Sequence, residues 1–403
     1  MPTNRAPARG SAITSMSFGH ACVDIYQGAV AALVPFFVSE RHYTYAAASG
    51  IVLAASLLSS VMQPLFGALT DRRAMPWLLP VSTLVGGVGV ALSGLGHSYP
   101  LTLAVIALAG TGVAAYHPEA ARIARQASGG SHTAMGWFSL GGNVGFAAAP
   151  VLVAAVVGVG GLRASPLLVI PAVAGAVLCG FAVRALGAGG VGASHAARVP
   201  GRNDWASFVK LSVAIACRSI VFVSLSAFIS LYAGRRVGGD IAGTAALFLL
   251  YLGGAVGTVA GSRLAGRFGR VAVVRWSYVL CVPAVAGVVF VPGPLLYLFV
   301  ALASAGLYVP FSLHITLGQD YLPRRIGTAS GVTLGLAVSV GGVVSPLVGS
   351  IADATSLQWA LAPLVALPAI GALVLCTLRE PARLEKTPSV AGPSANSPRQ
   401  EAR

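Results

Sequence analysis

The 403-residue chain combines 56% hydrophobic residues with only 9% charged residues, and its mean hydropathy is +0.81. A soluble domain carries about 25% charged residues, so this composition excludes an ordinary water-soluble protein and predicts an integral membrane protein. The net charge of +15 would also fit a nucleic-acid-binding protein, unless the basic residues follow a membrane topology.

Twelve apolar runs follow one another along the chain, each close to the ~20 residues that a helix needs to cross a ~30 Å hydrocarbon core. They predict one six-helix bundle at 13–186 and a second at 205–378, joined by a glycine-rich cytoplasmic linker at 187–204. We expect 1–12 to be a cytoplasmic segment and the polar, proline-rich 379–403 to be a disordered tail. The predicted spans are 13–38, 45–69, 76–96, 100–126, 133–158, 163–186, 205–233, 240–265, 271–291, 294–320, 327–353 and 358–378.

The basic residues predict the orientation of these spans, because cytoplasmic loops carry an excess of Lys and Arg. Most of the 26 basic residues fall on the side of the two termini, whereas the opposite loops hold only Arg41, Arg163, Arg235 and Arg236. Both termini are therefore predicted to be cytoplasmic. The net charge reflects this topology, and nucleic acid is not an expected partner.

The two halves repeat similar features at matching positions. Span five contains GFAAAP (145–150), and span eleven contains GGVVSP (341–346). The loop after span two reads GALTDRR (67–73), and the loop after span eight reads SRLAGRFGR (262–270). Such repeats indicate an internal duplication, so the two bundles are expected to be pseudo-symmetric.

The GALTDRR loop resembles the loop signature of the major facilitator superfamily, with Gly67, Asp71 and Arg72 at the expected places. The resemblance implies an all-α membrane protein with the major facilitator fold, whose 12 transmembrane helices surround a central cavity lined by spans one and four. In that superfamily the loop gates the cytoplasmic side through a carboxylate, an arginine and a helix end. The second copy of the loop has Gly266 at the position of the acid, so any cytoplasmic gate in the second half is weakened or differently built. A solvated loop charge is the alternative interpretation of Asp71.

The stretch at 145–150 resembles the glycine–proline motif of drug antiporters, although Ala149 replaces the usual glycine. Close helix crossing and a kink explain the stretch equally well. The residues assigned to helix packing and kinks are Pro118, Gly145, Pro150, Gly341 and Pro346.

Three longer stretches (62–80, 110–130 and 138–150), together with GHACVD (19–24) and LPRRIGTASG (322–331), resemble the fosmidomycin resistance protein group. Members of that group are proton-coupled exporters of drugs, including the phosphonate antibiotic fosmidomycin. The resemblance implies a multi-pass protein of the bacterial inner (plasma) membrane that acts in drug efflux and antibiotic resistance. It also implies proton antiport by alternating access. We expect the chain to function as a monomer.

Buried ionisable residues in span one support coupling without appeal to the family. Asp24 lies about 16 Å along a helix that rises ~1.5 Å per residue, near the middle of the bilayer. His20 lies four residues earlier, on the same helical face. Because such groups cost at least ~2.5 kcal/mol at the membrane centre and mark ion pathways, we hypothesise that Asp24 carries the coupling proton and that His20 is its hydrogen-bond partner or relay.

Span four contains a second group of ionisable residues. His117 and Glu119 flank Pro118, which we expect to distort the helix so that both side chains face a cavity. Glu119 is a second candidate proton carrier, with His117 as partner or relay. The alternative is a static network, for example a structural ion pair between Glu119 and Arg122.

Arg218 is a cation deep within span seven. Its planar guanidinium suits phosphonate or carboxylate ligands, so it either binds a substrate anion or pairs with a carboxylate such as Asp24. Arg122, Asn143 and His314 are the other candidate substrate-binding residues.

The sequence shows no enzyme constellation, no Walker loop and no metal-ligand spacing, so neither ATP nor a cofactor or metal is expected. The expected partners are a small-molecule substrate, protons and the lipid bilayer. The predicted function is export of small drugs or anionic compounds. One alternative is a gradient-coupled importer of a small anionic metabolite. Another is a non-transporting membrane sensor or membrane-embedded enzyme, which would need a soluble domain or a nucleophile–base pair.

Overall fold

A computed structural model describes residues 5–128, 131–186 and 202–381, without the side chains of 5–9, 71, 132–133 and 326–327. All regular structure in these ranges is helical, which confirms the predicted all-α membrane fold of twelve spans in two bundles. Most of the predicted linker and tail lies outside the described residues. Eleven helices are long and apolar enough to cross a membrane, and the third span is a shorter apolar helix.

The first bundle consists of six spans, the sixth of which begins as a 3₁₀ helix. Pro166 lies within that 3₁₀ segment and lacks the backbone N–H that a regular α-helix would use. The first-bundle elements are α1 (Arg5–Arg41), α2 (Tyr45–Arg72), α3 (Leu78–Leu92), α4 (Tyr99–Ser128), α5 (His132–Gly160), the 3₁₀ helix Leu162–Val169 and α6 (Ile170–Leu186).

The second bundle has the same order, but prolines divide two of its spans. Pro310 separates α10 from α11 within span ten, and Pro363 lies in the 3₁₀ helix that separates α13 from α14 within span twelve. The second-bundle elements are α7 (Trp205–Ala233), the π-helix Gly234–Gly238, α8 (Asp240–Phe268), α9 (Arg270–Phe290), α10 (Leu295–Tyr308), α11 (Phe311–Tyr321), α12 (Ile326–Ala354), α13 (Leu357–Leu361), the 3₁₀ helix Ala362–Val365 and α14 (Ala366–Cys376).

The predicted glycines bring two pairs of helices into backbone contact. A Cβ atom on Gly145 of α5 would collide with the carbonyl oxygen of Ala21 in α1, and one on Gly341 of α12 would collide with that of Ser219 in α7. Small residues allow this close approach of membrane helices. The α1–α5 and α7–α12 crossings are therefore equivalent, as the predicted duplication requires.

The two bundles meet at the end of the molecule where α2 begins and α12 ends, which we call the opposite face. A Cβ on Gly349 would lie 2.6 Å from the Tyr45 carbonyl oxygen, and one on Gly342 would collide with Ser56. Gly335 lies a further seven residues back, on the same side of α12, yet a Cβ there would meet nothing within 4 Å. Helix α12 therefore diverges from α2 towards the end where α1 begins, which we call the termini face.

Beside the contact between α2 and α12, a cavity of about 450 Å³ lies between α1, α5, α7 and α8 at the opposite face. Phe36 and Glu40 line it from the first bundle, and Arg235 and Asp240 line it from the second. The seal at this face is thus formed mainly by α2 and α12.

Candidate functional site

The carboxylate of Asp24 lies between two imidazole rings. Its Oδ2 is 3.3 Å from His20 Nε2, and its Oδ1 is 3.2 Å from His117 Nε2. Asp24 and His20 are buried, whereas the His117 side chain is 24% exposed. The structure therefore brings the predicted residues of spans one and four together around one carboxylate.

Backbone carbonyl groups orient both rings. His20 Nδ1 lies 2.9 Å from the Phe138 oxygen, and His117 Nδ1 lies 2.8 Å from the Val113 oxygen. Because a carbonyl oxygen only accepts hydrogen bonds, each Nδ1 must carry the hydrogen. In a neutral ring, Nε2 then presents a lone pair to the Asp24 carboxylate. These facing lone pairs repel each other unless a proton or another cation lies between them.

A glycine in α5 makes room for this cluster. A Cβ on Gly142 would lie 2.5 Å from Asp24 Oδ2 and 2.7 Å from His20 Nε2. The ring of Phe138, one helical turn earlier, stacks on His20 with 4.3 Å between the centroids. Neither role was predicted, because Gly142 is one of 50 glycines and nothing in its neighbours marks it.

Glu119 has different partners from His117, although both were expected to face one cavity. Its carboxylate forms an ion pair with Arg122 and accepts the backbone N–H of Met75 at 3.2 Å. Glu119 is fully buried and holds the loop after α2 against α4. These contacts favour the alternative of a structural ion pair. They engage Nε and Nη2 of Arg122, whose Nη1 is buried without a hydrogen-bond partner.

Arg218 is buried in α7, where its side chain is bordered by aromatic rings. Its Nε donates to the Leu307 carbonyl oxygen, and its guanidinium carbon lies 5.1 Å from the Phe311 ring centroid and 5.6 Å from that of Phe222. Among the described residues, no carboxylate forms a salt bridge with it. The suggested pairing with Asp24 is therefore not present in this structure, and Arg218 is a buried cation without an anionic partner in the described part of the chain.

Residues from the two bundles meet between Asp24 and Arg218. Asn143 Oδ1 and the Tyr308 ring both lie 3.1 Å from the position of a Cβ on Gly254 in α8. The Phe146 ring packs on the Tyr251 ring across the same interface, at 4.3 Å. Asn143, a candidate substrate-binding residue, thus lies at a contact between the bundles, and the aromatic residues beside it were not predicted.

His314 lies in α11, within the second bundle. It is buried beside Tyr278, with ring centroids 5.8 Å apart, and its Nε2 has no hydrogen-bond partner. A buried polar atom without a partner is unusual, which keeps His314 a candidate for substrate or water contact.

The predicted gate is described in part. Gly67 packs against Pro118, with 3.9 Å between a Cβ on Gly67 and the Pro118 Cβ, and Arg72 is exposed at the end of α2. The side chain of Asp71 lies outside the described residues. At the opposite face, Asp353 of α12 accepts the backbone N–H groups of Tyr45 and Ala46 at 2.8 and 2.9 Å. This contact between the bundles was not predicted, although an acid at the end of a span is a visible signal.

Comparisons with known proteins agree with this architecture. A sequence model of the Major Facilitator Superfamily matches residues 16–346. The fosmidomycin resistance protein of Escherichia coli (strain K12) is 29% identical over 390 residues, which cover 93% of this chain and 94% of that protein. The uncharacterized MFS-type transporter YfnC of Bacillus subtilis (strain 168) is 30% identical over 369 residues, or 88% of this chain and 89% of that protein.

Solved structures share the fold at low sequence identity. A bacterial homologue of the human lysosomal transporter Spinster, in an inward-facing and occupied conformation, has a TM-score of 0.76 at 15% identity, over 92% of this chain and 96% of that one. The nucleoside transporter NupG has a TM-score of 0.71 at 14% identity, over 92% and 98%. The predicted resemblance to this superfamily and to the fosmidomycin resistance group is confirmed.

Proposed function

Because the chain belongs to the Major Facilitator Superfamily, we propose that this multi-pass membrane transporter is a proton-coupled antiporter that exports small drug-like or anionic compounds by alternating access. The observation that carries the proposal is the Asp24 carboxylate between His20 and His117, whose facing lone pairs require a cation. The name of the relative from Escherichia coli supports drug export as the direction of transport.

The cluster is suited to taking up and releasing a proton during the transport cycle. A proton between Asp24 and one imidazole removes one of the two unfavourable contacts, so the cluster can be enclosed at low cost. Without it, the bundle would have to close over an uncompensated charge, which costs at least ~2.5 kcal/mol near the membrane centre. Proton loading at Asp24 therefore favours the step in which the cavity changes sides.

Arg218 supports an anionic group on the substrate. A buried guanidinium with no carboxylate partner among the described residues can be neutralised by a phosphonate or carboxylate, which its planar fork binds in pairs of hydrogen bonds. The surrounding Phe222 and Phe311 rings would pack against an apolar part of the same molecule. Asn143 and His314 are further polar contacts in this proposal. Arg122, paired with Glu119, is assigned to holding the loop after α2.

The bias of basic residues supports placing the termini face in the cytoplasm of a bacterial cell. With that orientation, α2 and α12 diverge towards the cytoplasm. Such a conformation would receive substrate from inside the cell, as export requires.

Transport by the purified chain in proteoliposomes tests the proposal. An imposed pH gradient is applied with a panel of phosphonates, amphiphilic drugs and sugars, and an internal dye records proton movement. We expect substrate to move against the proton flow in the wild type. Asp24→Asn should abolish the response to the gradient, whereas Asp240→Asn, which changes an exposed acid at the opposite face, should retain it.

Two results would contradict the proposal. Unchanged gradient-driven transport by Asp24→Asn, at equal protein incorporation, would remove Asp24 from the coupling step. Movement of substrate in the same direction as protons would replace the antiporter with the gradient-coupled importer considered from the sequence.

A further inference from the structure

The His20–Asp24–His117 cluster also has the geometry of a metal site. We propose that it binds a divalent transition-metal ion of the Zn²⁺ or Co²⁺ class. One ligand atom from each residue lies within 4.8 Å of the other two. The ligands come from two helices that are far apart in sequence, so no short ligand spacing in the chain could reveal them.

The carboxylate–imidazole distances already match tetrahedral coordination. Ligand atoms bound at about 2.0–2.1 Å to a tetrahedral ion lie about 3.3 Å from one another. His20 Nε2 lies 3.3 Å from Asp24 Oδ2, and His117 Nε2 lies 3.2 Å from the other carboxylate oxygen, Oδ1. For one carboxylate oxygen to bind the ion together with both imidazoles, the carboxylate has to turn and the ligand atoms, which lie within 4.8 Å of one another, have to move closer.

The surroundings of the ligands support the same conclusion. A metal-bound histidine almost always donates its other ring N–H to a carbonyl or carboxylate, which directs the remaining nitrogen at the ion. Both rings here donate Nδ1–H to backbone carbonyls, of Phe138 and Val113. Asp24 Oδ1 is buried and faces His117 Nε2 at 3.2 Å, so both atoms can bind the same ion.

The donor set decides which ions fit. Two imidazoles and one carboxylate suit Zn²⁺, Co²⁺ or Ni²⁺, whereas Mg²⁺ and Ca²⁺ prefer oxygen ligands throughout. Three protein ligands leave a fourth position for water or another ligand, as in metal sites that stay open to small molecules. Exposure of His117 gives that position a route to solvent.

Binding is measured on the purified, tag-free full-length chain in detergent, because a polyhistidine tag binds the same ions. Equilibrium dialysis with Zn²⁺ gives affinity and stoichiometry, and Co²⁺ alone serves as a spectroscopic probe of tetrahedral coordination through its visible absorption. Three changes separate the cluster from other histidines. His117→Gln and Asp24→Asn each remove one ligand, while His97→Gln removes an exposed histidine at the opposite face.

We expect one tightly bound ion in the wild type and in His97→Gln. We expect at least a ~10-fold weaker affinity in His117→Gln and Asp24→Asn, since even outer partners of metal ligands contribute 10–100-fold. His117→Cys provides a variant that retains a ligand, and its Co²⁺ complex should acquire a thiolate-to-metal absorption band. Equal binding by wild type and the cluster variants would overturn the proposal, as would a Co²⁺ spectrum unchanged by His117→Cys. These measurements involve no gradient or transport, so their failure leaves the test of proton coupling intact.

Discussion

Removal of the Asp353 carboxylate should shift the chain towards a conformation open at the opposite face. Asp353 at the end of α12 accepts two backbone N–H groups at the start of α2, from Tyr45 at 2.8 Å and Ala46 at 2.9 Å. These amides belong to the first turn of α2, where helices have free N–H groups and favour negative charge. The contact therefore joins the two bundles only while this face is closed.

The size of the effect follows from the two hydrogen bonds. Replacing a residue that caps a helix N-terminus costs about 0.5–2 kcal/mol, and the attraction of the carboxylate to the helix end adds about 0.3–1 kcal/mol. Asp353 is exposed, so solvent and salt screen the charge, and we expect a total of about 1–2 kcal/mol. That free energy changes the ratio of two conformations by about 5–30-fold.

Spin labels on exposed residues at the opposite face, Ser39 and Ile241, would report this ratio as a distance distribution. The measurement needs a background without the five native cysteines that still transports substrate. Asp353→Ala should increase the long-distance population, and the gain should shrink as salt is added to the wild type and variant alike. Thr44→Ala is the matched control, because Thr44 accepts the next amide, Ala47 N–H, within the same bundle. Identical distributions for Asp353→Ala and Thr44→Ala would refute the reasoning.

Three further predictions concern residues of the candidate site. Gly142→Ala should reduce gradient-driven transport at least ~10-fold, because its Cβ would lie 2.5 Å from the Asp24 carboxylate. Gly136→Ala, where a Cβ meets nothing within 4 Å, should transport normally. Equal activities of the two variants in the proteoliposome assay would contradict the steric role of Gly142. Arg218→Gln should raise the KM for anionic substrates at least ~10-fold, because a charge-assisted contact is lost, and should change the KM for neutral substrates little. An equal change in KM for anionic and neutral substrates would count against an anion site. Glu119→Gln should lower the melting temperature while proton coupling persists. Breaking a buried ion pair costs ~3–5 kcal/mol, and the partial exposure of Arg122 puts this pair near the lower end of that range. A loss of proton coupling at unchanged melting temperature would restore Glu119 as a proton carrier.

Much of the fold could be predicted from composition and periodicity, because each span must satisfy its own backbone hydrogen bonds in lipid. The twelve predicted runs therefore match the twelve observed spans. What sequence could not show was how prolines act in each span. Pro310 divides span ten, whereas Pro118 and Pro150 lie within continuous helices. The outcome depends on whether neighbouring helices support the freed backbone groups, which is a property of packing.

The residues of the candidate site likewise fall into those that the sequence could identify and those that depend on helix packing. Asp24 was recognisable because a carboxylate near the middle of an apolar span is costly, and His20 because it lies one turn away on the same face. The partnership with His117 depends on how α1 and α4 pack, and the Glu119–Arg122 pair could only be offered as an alternative. The aromatic surroundings of Arg218 carry no signal in a chain where apolar residues fill every span.

The two helix crossings place His20 and Arg218 at equivalent positions. Gly145 of α5 contacts the Ala21 carbonyl, and Gly341 of α12 contacts the Ser219 carbonyl, so the residues immediately before them correspond. Duplication of one bundle therefore provides the same position on α1 and α7, and the two copies now hold different charges. In the first bundle, Asp24 lies one turn from His20 and gives this position a carboxylate that can share a cation with the imidazole. In the second, the position equivalent to Asp24 is Phe222, whose ring leaves Arg218 without a counter-charge on its own helix. The proposed division of labour between proton and anion thus follows from two differences between equivalent positions, His20 against Arg218 and Asp24 against Phe222.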